Sequence, residues 1–177
     1  MRRPSPILLV FTVTLVTVFC GKRRYKEVVD DRIFIKDAKK NPAFLIGRLP
    51  GKNWREHNPA RFNALQSFET EAKVEKAVLA LYMAVAGQQD SKAFLRTIVE
   101  KIKTSNTRIE YEPVLKTSEG DWQSVLLEND RGLIRLYASR KGKRIFWLQY
   151  IAPTAEVFAL YSPDVKSYVR QFWFLYR

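Results

Sequence analysis

One cysteine, one histidine and seven glycines are all that 177 residues contain of three residue types on which much protein chemistry depends. A single cysteine excludes an intrachain disulfide, and Cys20 with His57 falls short of the four ligands of a structural zinc site. The few glycines form no phosphate-cradling loop and no G-x-S-x-G elbow. Acidic residues are scarce as well, 18 against 31 Lys and Arg, for a net charge of +13. The pairs Asp30/Asp31, Glu69/Glu71 and Glu110/Glu112 suit solvated loops and strands better than a carboxylate metal site. Missing too is an unbroken apolar run of the about 20 residues that a spanning helix needs. From these absences no cofactor, no metal and no catalytic residue is expected. The chain reads as a binding or accessory protein, not an enzyme.

What is present can build a core. Hydrophobic residues make up 46% and aromatics 13%, too many for a disordered chain, so the positive charge must lie on a folded surface. The length fits one domain and an appendage. We divide it into residues 1–21 as signal peptide or membrane anchor, 22–42 as a polar tether, and 43–177 as a single α/β domain.

The first segment carries Arg2 and Arg3, then the apolar run Ile7 to Phe19, then Cys20. This is the charged region followed by the apolar region of an export signal. As a helix, Ile7 to Gly21 would span roughly 22 Å at about 1.5 Å per residue, short for a bilayer but extensible by snorkelling of Arg3, Lys22 and Arg23. Thr17-Val18-Phe19 offers ordinary signal peptidase no pair of small residues. Cys20 directly after the apolar run resembles a bacterial lipoprotein signal, which implies lipidation at Cys20, although Phe19 and Thr17 stand where that family has a small residue and a leucine. Two readings stay open, a lipidated Cys20 and an uncleaved signal anchor. Both tether the domain to a membrane outside the cytoplasm, in a bacterial cell envelope.

Within the domain, Ala43 to Leu49 reads as a strand ended by Pro50-Gly51, with Trp54 folding back as a core plug. The run "AVLALYMAV", Ala77 to Val85, suits either a buried strand or a buried helix by pattern; its length and the following Gly87 favour the strand. Asp90 is placed to cap a helix whose Phe94, Leu95, Ile98, Val99 and Ile102 form one stripe, with Arg96 and Glu100 paired on the wet side and an end near Asn106. Four strands follow: "RIEYEPVLK", an edge strand because of Pro113, then Trp122 to Glu128, Leu133 to Ser139, and Arg144 to Ala152. The last is bulky on both faces and should be the most buried. Ser162-Pro163 signals a final helix that presents Val165, Tyr168, Val169 and Phe172 to the sheet. The closing "WFLYR" reads as a short strand or docked tail. The fold class expected is α+β: an antiparallel meander packed by two amphipathic helices, preceded by the N-terminal hydrophobic signal or anchor helix.

Over roughly Ala43 to Phe174, "FLIGRLPGKNW", the helix from Asp90, the meander through "RIFWLQYIAP" and the closing "SPDVKSYVRQFWF" resemble the PsbP-like α/β/α sandwich of small exported bacterial proteins. That resemblance implies a sandwich with an accessory or assembly role, and it brings no catalytic set with it.

The remaining functional signal is cationic. Lys22, Arg23 and Arg24 flank the apolar segment, and Arg140, Lys141, Lys143 and Arg144 surround a turn. Together they are expected to form a patch for an anionic partner, either lipid headgroups or an envelope protein assembly. The alternative, a nucleic-acid-binding basic domain, would stack bases on Tyr137, Trp147 and Tyr150 beside that turn. It loses its substrate if the chain is exported, so nucleic acid is not the expected partner.

Overall fold

The computed structural model describes the backbone of residues 26–29, 32–36, 42–47, 49–57, 64–72 and 75–174, and side chains within 49–57, 64–72 and 75–172. The fold is built on a seven-stranded antiparallel sheet. Four of its strands are the expected meander: β7 (Arg108–Thr117), β8 (Gly120–Asn129), β9 (Gly132–Lys141) and β10 (Arg144–Ala152). Three more precede them, β4 (Trp54–His57), β5 (Gln66–Thr70) and β6 (Val78–Val85). The spatial order is β4-β5-β6-β10-β9-β8-β7, so β10 sits between β6 and β9 and β7 lies at the edge.

Central placement explains the composition of β6 and β10. A strand covered on both faces has no polar side to display, so it reads as a continuous apolar run. In β10, Phe146, Leu148, Tyr150 and Ala152 enter one core and Ile145 and Trp147 the other. In β6, Leu79 and Leu81 enter the first core while Tyr82 and Ala84 pack against the second. The ambiguous run around Ala77 to Val85 is therefore a strand, held in register with β10 from Val78↔Ile151 to Val85↔Arg144.

Each face carries one helix. α1 (Ser91–Ile102) lies over β8 and β9, and α2 (Ala155–Arg170) over β10 and β9 on the opposite face. The Asp90 carboxylate accepts from Ala93 N–H at 2.7 Å, closing the start of α1 as its sequence position implied. The helix stops at Ile102 rather than near Asn106, because Lys103 is already extended. Glu100 is bridged by Lys103 at 2.7 Å instead of by Arg96.

α2 starts earlier than Ser162-Pro163 suggested. Thr154 caps it by accepting from Val157 N–H at 3.3 Å, and Pro163 falls inside the helix. The interior proline is tolerated because Pro163 and Ala159, whose carbonyl loses its donor, both face solvent. One turn away, the Ser162 hydroxyl donates to the Phe158 carbonyl at 2.7 Å. Val165, Tyr168, Val169 and Phe172 are buried against the sheet as expected.

A second sheet has the order β1-β2-β3-β11, from β1 (Lys26–Val29), β2 (Arg32–Lys36), β3 (Pro42–Gly47) and β11 (Trp173–Phe174). The stretch read as a polar tether thus carries two strands, in which Val28-Val29 and Ile33-Phe34-Ile35 supply the β-branched and aromatic residues that favour extended backbone. The strand expected at Ala43 to Leu49 runs from Pro42 to Gly47, and "WFLYR" contributes β11, paired with Leu45 and Phe44.

One irregularity in β7 decides which way its side chains point. Ile109 and Leu115 are six positions apart and would share a face in a regular strand, yet Ile109 packs under α1 and Leu115 under α2. The register shifts between Glu112 and Leu115, and the extra residue turns the rest of the strand over. Pro113 lies in this bulge, on the edge strand where it breaks no central ladder.

Candidate functional site

The expected cationic patch divides into a described part and a part outside it. Cys20, Lys22, Arg23 and Arg24 lie outside the described residues. Arg140, Lys141, Lys143 and Arg144 close one end of the large sheet at the β9–β10 turn, where β9 ends at Lys141 and β10 begins at Arg144.

These four do not act alike. Arg140 is tied down: its guanidinium donates to the carbonyls of Gln89 at 2.8 Å, Gln88 at 3.4 Å, Gly87 at 3.4 Å and Gly142 at 3.0 Å. It binds the loop between β6 and α1 to the β9–β10 turn, aided by the Ala86 N–H donating to the Lys143 carbonyl at 2.9 Å. Arg144 directs one guanidinium nitrogen toward the Met83 sulfur at 3.8 Å. Lys143 is exposed and Lys141 half-buried. Beside the turn, a cleft of about 360 Å³ is lined by Asp90, Ser91 and Lys92 at the start of α1 and by Asp121, Gln123, Arg140 and Lys141 on the sheet. Asp90 is already used as the helix cap, so the cleft is a mixed-charge hollow rather than a cage of cations.

The aromatics that a nucleic-acid reading would use are inside. Trp147 is 9% exposed, Tyr137 2% and Tyr150 0%. Trp147 stacks on Tyr82 with centroids 4.0 Å apart, and the Tyr150 hydroxyl donates to the Phe158 carbonyl at 3.0 Å. No base can stack on them without opening the fold.

The titratable groups fit structural roles. His57 belongs to β4, and its Nε2 lies 4.0 Å from Glu69. Burial alone would raise the Glu69 carboxyl, but hydrogen bonds from Arg55, at 2.8 Å to its Nε, and from Lys76, at 3.3 Å, lower it below the usual value. Burial pushes the Tyr82 and Tyr137 hydroxyls up to about 12 and those of Tyr150 and Tyr168 well above the usual range. These phenols stay protonated at neutral pH and are not activated nucleophiles. Among the described residues, no group of three or more His, Cys, Asp or Glu could hold a metal, and no helix is long and apolar enough to cross a membrane.

Two arrangements escaped the sequence reading. Arg135, 7% exposed, extends under α2 from the middle of β9, where it donates to Glu112 at 2.7 Å and to the Ser162 hydroxyl at 3.2 Å and covers the Phe158 ring at 4.6 Å. A cation within "LIRLYAS" was a visible signal of a buried partner, but the strand order that sets Glu112 of β7 near it, with β8 between, was not. The Trp54 indole donates to Asp164 at 3.0 Å, joining the start of the large sheet to the middle of α2. A side chain at Gly51 would lie 2.5 Å from that same carboxylate, so the turn before Trp54 takes glycine.

The sequence matches no protein-family model and no curated protein. Among solved structures, the chain is similar to cyanobacterial PsbP (CyanoP) from Synechocystis sp. PCC 6803, in its solution structure, with a TM-score of 0.48 and 8% identity over 86% of this chain and 91% of that one.

Proposed function

We propose that this chain is a membrane-tethered, extracytoplasmic binding or accessory domain of a bacterial cell envelope, with no catalytic role, whose basic surface meets an anionic partner such as lipid headgroups or an envelope assembly. The observation that carries the reading is the order of the first 24 residues: two arginines, an apolar run, Cys20, then Lys22, Arg23 and Arg24. Cations next to a membrane segment contribute about 1 kcal/mol each near an acidic surface. Support comes from the described domain, where Lys143 and Lys92 are exposed. Burial of Tyr137, Trp147 and Tyr150 leaves the nucleic-acid alternative without its stacking surface.

The test is to express the full chain beside its Cys20→Ser twin in a bacterial host and to measure intact mass and fractionation. A diacylglyceryl-sized mass increase with cleavage before Cys20, lost in the twin, selects the lipoprotein form. An uncleaved, unmodified chain in the membrane selects the anchor. A soluble, unmodified chain overturns the proposal.

A further inference from the structure

Val85 is 84% exposed, the barest of the large hydrophobic residues in the described part of the chain. It ends β6, and its cross-strand partner is Arg144, whose partner on the other side is Lys141. Directly opposed residues on neighbouring strands project to the same face, so Val85, Arg144 and Lys141 form one row across three strands. Behind the row, Arg140 grips the carbonyls of Gly87, Gln88 and Gln89, which pins the loop just after Val85 against the β9–β10 turn. The aliphatic tip is therefore held out by a rigid support. Lys92 and Lys143 stand exposed nearby, and Lys116 lies across from Asp121 at the same end of the sheet. The carboxylates at this end are Asp90, Glu119 and Asp121, outnumbered by the cations.

We propose that this end of the sheet is a docking surface for an anionic bilayer, with Val85 entering the headgroup region and Lys141, Lys143 and Arg144 lying among the acidic headgroups. The inference rests on the tethered, cation-surfaced reading above and adds to it a face and an orientation. A lipid surface fits both parts of the patch, since it buries an aliphatic side chain and neutralises the cations around it. A phosphodiester chain would satisfy the cations but leave Val85 in water.

The experiment uses the full chain carrying Cys20→Ser, which retains Ile7 to Phe19 and leaves no other thiol. An environment-sensitive fluorophore is placed at Val85→Cys, or at Asp130→Cys in the β8–β9 turn at the opposite end of the strands. Substitution at so exposed a position leaves the core intact. Each protein is mixed with phosphatidylcholine vesicles, with the same vesicles containing phosphatidylglycerol, and with duplex DNA.

The expected result is a blue shift at position 85 on phosphatidylglycerol vesicles alone, weakened by salt, and none at position 130. Lys141→Gln and Lys143→Gln should each lower the lipid affinity that this shift reports by about fivefold. A chain that sediments with vesicles while its label at 85 stays silent, or responds no more than the label at 130, overturns the docking surface and leaves the tether standing. A response to DNA without one to vesicles also overturns it. A chain that sediments with neither vesicle also overturns this inference, while the tether is judged separately by the mass and fractionation of the chain with Cys20 intact.

Discussion

The two faces of the large sheet are packed by different chemistry. Under α1 the core is mainly aliphatic, with Leu95, Ile98, Val99 and Ile102 of the helix set on Val125, Leu127, Leu136 and Ile145. Under α2 it is mainly aromatic, with Trp54, Phe68, Trp122, Tyr137, Phe146, Tyr150, Phe158, Tyr161, Tyr168 and Phe172, and it admits polar groups. The first face depends on nondirectional burial, which tolerates small adjustments of its partners. The second face is stitched by directed contacts: Trp54 to Asp164, Arg135 to Glu112 and Ser162, and Tyr168 to Gln66 at 3.1 Å. A small aliphatic change should therefore cost little under α1, whereas loss of a single directed partner should cost much under α2.

The largest effect is expected at Trp54. Trp54→Ala removes a ring that packs on Tyr161 with centroids 5.5 Å apart and deprives Asp164 of its donor, and should cost about 3–5 kcal/mol in chemical denaturation. Glu112→Leu strands the Arg135 charge under α2 and should cost about 3 kcal/mol, whereas the double variant Glu112→Leu, Arg135→Met should recover most of the loss. If the single and double variants are equally unstable, the contrast between the faces fails at that point. On the aliphatic face, Ile98→Val should cost only about 1 kcal/mol, and a loss comparable to that at Glu112 would erase the distinction. Asp90→Ala should cost about 1 kcal/mol through the lost cap of α1.

An effect confined to high pH is expected on the alkaline side. Tyr137 ionises at about 12 in the folded chain against 10.0 when unperturbed, so the unfolded state loses its proton first. Stability should be unaffected below about pH 10 and should fall as pH rises toward the folded value. Tyr137→Phe should flatten that limb of the denaturation midpoint against pH, and an unchanged limb would remove Tyr137 from the account.

The same contrast explains what could be read in advance. The α1 stripe, the β6 run and the double-sided β10 were legible because aliphatic periodicity reports burial whatever the partner is. The start of α2 was missed because Pro163 imitates a first helical position, and only the exposure of its side of the helix makes an interior proline acceptable. The strands in 26–36 were missed because Lys and Asp around short apolar clusters look like a linker until β3 supplies a partner. Within the cationic patch, composition identified Arg140 as a charge but gave no sign that backbone carbonyls would occupy it.

Sequence by itself determined the meander, the two helices and a strongly positive net charge, because periodicity, turn residues and charge are properties of the local chain. Tertiary structure alone decided which face each residue serves. The β7 bulge turns Leu115 under α2, the β7-β8-β9 register sets Glu112 near Arg135 on that same face, and the pairing of β6 with β10 leaves Val85 bare at the end of its strand. These outcomes depend on register between segments distant in the chain, which no local pattern encodes.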